Sequence, residues 1–186
     1  MSTQSIFERQ NSEEEAYRTL SDAINANLRV AMPGIIESFN SKEQTVKVRC
    51  AIRERITNEQ QEIKFVEIPI LLDVPIIMQR AGGFVTTFPI SKGDECIVIF
   101  SDLCINAWWS LGGVQNIEEY RRHDFSDAFA ILGPTSQPKK VSNYSTTNFE
   151  IRNENPALAE ESKISMSPNG DILIKGRNVT TQEWGP

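Results

Sequence analysis

Apolar and polar positions alternate with two different periods along this chain, and the change of period divides it. Ala16, Leu20, Ala23, Ile24 and Leu28 recur at i, i+3 and i+4, one narrow face of a helix. Ser12 and Glu15 have the spacing of a capping box, and Glu13 to Glu15 place anions where a helix N-terminus favours them. Pro33-Gly34 ends the pattern. The stripe suits a helix lying on its own barrel or docked on a neighbouring subunit.

From Gly34 to about Gly133 the period is two. Strands are expected at Ile35-Ile36-Glu37-Ser38, at Thr45 to Cys50 and at Ile63 to Ile68, with a polar loop at 53–62. Pro69 to Met78 is apolar but broken by Pro69 and Pro75, which predicts an edge or a bulged crossing packed over the barrel. A short strand follows at Val85 to Phe88. Ser91-Lys92-Gly93-Asp94 then turns into Glu95 to Ser101, whose apolar interior predicts cover on both faces. Ala128 to Leu132 reads as the last strand. Five or six short strands in about 100 residues fit an OB-fold-like Greek-key barrel.

Residues 134–148 are a Pro/Ser/Thr/Lys-rich connection. Beyond it, Phe149-Glu150-Ile151, Ile164 to Ser167 and Ile172 to Gly176 read as short alternating strands, with a turn at Pro168 to Asp171. Strands so few are marginal alone. They become stable if three copies wind together, each burying Ile164, Met166, Ile172 and Ile174. The expected fold is therefore mainly β, with a helical arm (1–33), an OB-fold-like barrel (34–133), and a linker with a short C-terminal intertwined β-helix or β-prism shaft formed in a trimer (134–186).

Composition narrows the chemistry. A net charge of −6 and a pI near 5.0 disfavour a nucleic-acid phosphate binder. Cys50, Cys96 and Cys104 lack metal-type spacing and read as reduced thiols. No run of residues has the length and apolarity of a bilayer span. The opening MSTQSIFERQ lacks a basic start followed by an apolar stretch, so synthesis and folding in a cytoplasm are expected.

His123 is the sole histidine, which leaves no metal site and no cofactor expected. His123, Asp124 and Ser126 carry triad-type side chains, but neighbours on a turn do not adopt triad geometry. Asp124 and Ser126 are read instead as caps of local backbone groups, with Asp127 opening the last strand. Gly82-Gly83 and Gly112-Gly113 lack a phosphate-cradle frame. Trp108 and Trp109 suit a structural role, in the core or at a subunit contact such as the packing of a collar; the alternative is a stacking platform on an OB-fold nucleic-acid or glycan binding module. No carboxylate pair sits in an apolar setting that would separate two pKa values, and no enzymatic activity is expected.

The order of local features carries a resemblance. Pro33-Gly34-Ile35-Ile36, Val46-Lys47-Val48, Asp73-Val74-Pro75, Gly82-Gly83-Phe84 with Phe88-Pro89, Gly93-Asp94-Glu95, Phe100-Ser101-Asp102, Trp108 to Gly113 and Arg122 to Ala128 follow one another. Residues 12–133 in this way resemble the N-terminal OB-fold domain of the central spike proteins of contractile phage tails. The resemblance implies a homotrimer in the virion, mounted on the baseplate hub protein, with a C-terminal shaft that pierces the host cell envelope when the sheath contracts. Relatives often close the tip with a His-x-His pair on iron. Residues 134–186 contain no histidine, so that site is not carried over, and the expectation is a blunt tip or a separate tip protein.

Overall fold

The computed structural model describes residues 13–57, 60, 62–154 and 162–176. The chain divides into two compact units, Met1–Thr135 and Ser136–Pro186. The first described element of the first unit is helix α1, Glu13–Asn27. Ser12 of the expected capping box lies outside the described residues.

The barrel that follows is closed by five strands. These are β1 (Ala31–Asn40), β2 (Thr45–Cys50), β5 (Leu71–Ile77), β8 (Glu95–Phe100) and β9 (Ala128–Leu132). Two hairpins stand between them: β3 (Glu54–Thr57) with β4 (Ile63–Val66), and β6 (Arg80–Ala81) with β7 (Phe84–Val85). Around the wall the order is β1-β2-β5-β9-β8, and only β5 and β9 run parallel.

Period-two patterning selects the inner face. Val46, Val48 and Cys50 of β2 point inward, as do Cys96, Val98 and Phe100 of β8 and Ala128 and Ala130 of β9. Gly34 is where the wall closes most tightly: a Cβ there would stand 2.5 Å from Val48 Cγ1. Two bulges bend the long strands into the barrel. One gives β1 an extra residue at Glu37, between the pairs Ile36–Val48 and Ser38–Lys47. The other lies in β5, where Leu71 to Val74 spans the two steps from Val48 to Val46 and Asp73 takes φ +53°.

Several expectations are corrected. β1 starts at Ala31, so Pro33 sits within a strand, opposite Ile97 of β8, and does not separate the helix from the barrel. The stretch 53–62 holds a strand, β3, because pairing with β4 satisfies its backbone although its side chains are polar or exposed. β5 is part of the wall rather than a cover over it. Its bulge is as expected, and the extra residue lets the chain carry Pro75 beside Thr45 without losing the ladder. The strand expected at Val85 to Phe88 is instead Phe84–Val85, turned back on Arg80–Ala81 by Gly82 and Gly83, both at positive φ. On β8, Ile97 and Ile99 are half-covered rather than buried.

The second unit is a three-stranded antiparallel sheet of β10 (Phe149–Arg152), β11 (Lys163–Met166) and β12 (Ile172–Lys175). It has one strand more than a lone pair. Ser167 and Asp171 close the turn between β11 and β12, with the Asp171 amide donating to the Ser167 hydroxyl at 3.2 Å.

Candidate functional site

Register decides what the C-terminal sheet presents. Phe149 lies opposite Met166 and Met166 opposite Ile172; Ile151 lies opposite Ile164 and Ile164 opposite Ile174. Cross-strand partners share a face. The expected residues Ile164, Met166, Ile172 and Ile174 are therefore side by side, and Phe149 and Ile151 complete a row of six. All six are exposed, Ile172 at 64%.

The opposite face carries Glu150, Arg152, Lys163 and Ser165, and the unit covers it with its own chain. Glu150 accepts from Lys163 Nζ at 3.3 Å and pairs with Arg152 at 3.4 Å. Arg152 donates to the carbonyls of Ser142 and Asn143, the latter at 2.7 Å, and the Asn148 amide donates to Ser165 Oγ at 3.3 Å. Ser165 is buried as a result. A small sheet in water normally turns its apolar face inward. Here the covered part is the polar face along β10 and β11, while Leu173 and Lys175 of β12 on that face stay exposed.

Trp108 and Trp109 stand on α2, Asn106–Leu111, in the connection from β8 to β9. Trp108 meets Phe129 edge to face with ring centroids 5.8 Å apart, so part of its surface packs on the outside of the barrel. The remainder of both rings is open, and Leu111, Val114 and Tyr120 further along the loop are also exposed.

This loop is held by a carboxylate read from sequence only as the opening of a strand. Asp127 is fully buried and closes a 3-10 turn, Phe125–Asp127. Its Oδ1 accepts the Ile105 amide at 2.9 Å and Arg121 Nη2 at 3.1 Å, while Oδ2 accepts Arg121 Nε at 2.6 Å. Arg121 also donates to Asn106 Oδ1 at 2.9 Å and pairs with Glu119. Both ends of the aromatic loop are thus tied to one buried group. The hydrogen bonds to Asp127 raise the guanidinium pKa further above its already high value.

The stripe of α1 is not covered by the barrel: every described side chain of the helix is exposed, Leu20 and Ile24 among them. At the far end of the barrel, where β1, β5 and β9 finish, Phe39, Ile77, Met78, Thr87, Phe88 and Leu132 help to line a groove of about 500 Å³.

Catalytic chemistry has little to build on in the described residues. Asp124 Oδ1 accepts the Ser126 amide at 2.8 Å, the local cap expected for it, and this bond lowers the Asp124 pKa. His123 approaches Asp102 at 3.3 Å through Nε2, and its buried Nδ1 faces no partner. Burial raises the Cys50 thiol and brings Cys96 to about 11, which keeps both protonated and inert. No group of three or more His, Cys, Asp or Glu converges as a metal site among the described residues.

Residues 32–133, more than half of the chain, match the family described as the phage protein Gp138 N-terminal domain. The matched span runs from the second residue of β1 to just beyond β9, and so covers the barrel with its inserted hairpins and aromatic loop. No curated protein matches the chain.

Proposed function

Because the chain belongs to the family of the phage protein Gp138 N-terminal domain, we propose that it is a structural, non-enzymatic component of a contractile phage or phage-like tail, the homotrimeric central spike of the baseplate. The barrel, OB-like in its strand order, forms the collar on the hub protein. The C-terminal unit forms the shaft, which transmits the force of sheath contraction to the host cell envelope. A blunt tip or a separate tip protein completes it.

The observation that carries this reading is the inverted C-terminal sheet. Six apolar side chains share one face and stay bare, while the unit's own chain covers the polar groups of β10 and β11 on the other face and leaves only Leu173 and Lys175 of β12 exposed there. Three such sheets around an axis bury all three apolar faces and leave the polar faces outward. The barrel, by comparison, has a closed core of its own. Sedimentation equilibrium of the full chain is the test, with three times the 21.0 kDa chain mass expected. A monomer at micromolar concentration refutes the spike reading.

A further inference from the structure

We propose that Arg29 is a joint that fixes the helical arm to the barrel in one direction, so that α1 moves with the barrel as one body although every described side chain along it is exposed. The inference rests on the root of the arm alone and stands apart from the trimer reading.

The covalent link is short. α1 ends at Asn27 and β1 starts at Ala31, which leaves Leu28, Arg29 and Val30 between them. The Leu28 amide donates to the Ile24 carbonyl at 3.1 Å, so the helical bonding runs one residue past the helix. On the other side, the Val30 carbonyl accepts the Phe100 amide of β8 at 3.0 Å. Each residue has two soft backbone torsions, and these bonds confine the pivot to those about Arg29.

The Arg29 side chain closes that pivot. Its guanidinium carbon lies over the Phe125 ring, 4.6 Å from the centroid, and its Nη1 pairs with Glu54 of β3. Both supports are fixed to the wall. Phe125 meets Phe100 of β8 edge to face at 5.6 Å and belongs to the 3-10 turn that Asp127 closes, while β3 follows β2 after three residues. A planar guanidinium stacks and pairs at the same time, which a compact ammonium does not. The pair is also partly withdrawn from solvent, with Arg29 and Glu54 side chains 23% and 35% exposed, so water and salt weaken it less than an open surface pair.

Packing further out does not press the helix to the wall. A cleft of about 420 Å³ opens there, lined by Ala23, Ile24 and Leu28 of the arm and by Arg122 and His123 of the barrel. The direction of the arm is therefore set at its root, where one side chain ties α1, the β3–β4 hairpin and the turn that ends the aromatic loop into one frame.

The test is the order parameter of the arm, read by time-resolved fluorescence anisotropy of the full chain. Ser21→Cys and Asn25→Cys, one helical turn apart and both exposed, are bridged by a bifunctional dye in a Cys104→Ser background, so the dye cannot rotate by itself. With Arg29 present the expected value is about 0.85, that of rigid backbone; with Arg29→Ala it falls below about 0.6. Far-ultraviolet circular dichroism checks that the helix persists in the variant, and near-ultraviolet circular dichroism that the barrel does. Glu54→Ala removes the ion pair and leaves the stack, and should fall between the two. A low value with Arg29 present overturns the proposal, and so does an unchanged value in Arg29→Ala with helix and barrel intact. If Arg29→Ala does not fold, Glu54→Ala decides: a lowered value supports the joint and an unchanged one overturns it.

Discussion

Replacing Ile172 by Asp tests the shaft most directly. Ile172 is 64% exposed in the single chain, on the face it shares with Met166 and Phe149. Full burial of such a side chain is worth about 1.5–3 kcal/mol, so covering the bare part contributes about 1–2 kcal/mol per chain. Three chains lose it together, about 3–6 kcal/mol per trimer. The carboxylate adds a desolvation cost of several kcal/mol per buried ion. At 1.4 kcal/mol per tenfold, lost burial alone raises the trimer dissociation constant about a hundredfold or more. Leu173→Asp is the matched control: the same type of change one residue along, on the face with Glu150 and Ser165. Sedimentation equilibrium reads both variants. Near-ultraviolet circular dichroism, to which Trp108 against Phe129 contributes, reports whether the barrel is intact. Ile172→Asp should dissociate with an intact barrel, and Leu173→Asp should stay trimeric. An Ile172→Asp trimer of wild-type strength, or equal dissociation of the two variants, refutes the assignment of faces.

Asp127→Ala strands the Arg121 guanidinium and the Ile105 amide, and should cost about 3 kcal/mol, near the low end for a broken buried pair because Arg121 keeps some solvent contact; urea unfolding measures it. Gly34→Ala drives a methyl to 2.5 Å from the buried Val48 Cγ1 and 3.1 Å from Val98 Cγ2, so a loss of about 1–3 kcal/mol is expected in the same assay. Asp124 has a folded pKa below its ordinary value of 3.8, chiefly because the Ser126 amide donates to it. Its contribution to stability is therefore whole above that value and is lost as pH falls through the depressed one. Thermal midpoints of Asp124→Asn should vary less steeply with pH in that acidic window than those of the wild type.

Legibility in the sequence followed how local the physical signal is. Thr45–Cys50 and Ala128–Leu132 have the expected bounds, because alternation or a short apolar run between turn residues specifies a strand within a few positions. β3 is hidden because Glu54 and Arg55 offer no apolar face, and its strand state comes from partners six to twelve residues away. β5 was misplaced because two prolines argue against a wall strand unless a bulge intervenes. The prolines point to a bulge, but only the β2–β5 register shows that the bulged strand belongs to the wall. Among site residues, Ile164, Met166, Ile172 and Ile174 were visible from alternation. Phe149 and Ile151 show the same spacing, but only antiparallel pairing with β11 puts them on that face. Asp127 looked like any polar residue before a strand. Its partners Ile105 and Arg121 come from both ends of a long loop, and no spacing rule joins them.

The two units solve the same problem in opposite ways. The barrel closes its ladder and buries Ile36, Val46, Val48 and Val98 completely, so its fold requires no second chain. Its remaining apolar surface, the aromatic loop and the groove, is therefore available for contact rather than needed for folding. The C-terminal sheet spends its own connecting segment on Glu150, Arg152 and Ser165 and leaves its largest side chains in water. A sheet of three four-residue strands cannot cover both faces with so little chain, and covering the charged one first satisfies groups that would be costly to leave unpaired in an assembly. In the proposed trimer, assembly then completes the unit by burying apolar surface without breaking a polar contact. That division is what the proposed spike requires: a collar that folds before it assembles, and a shaft whose core forms only when the copies meet.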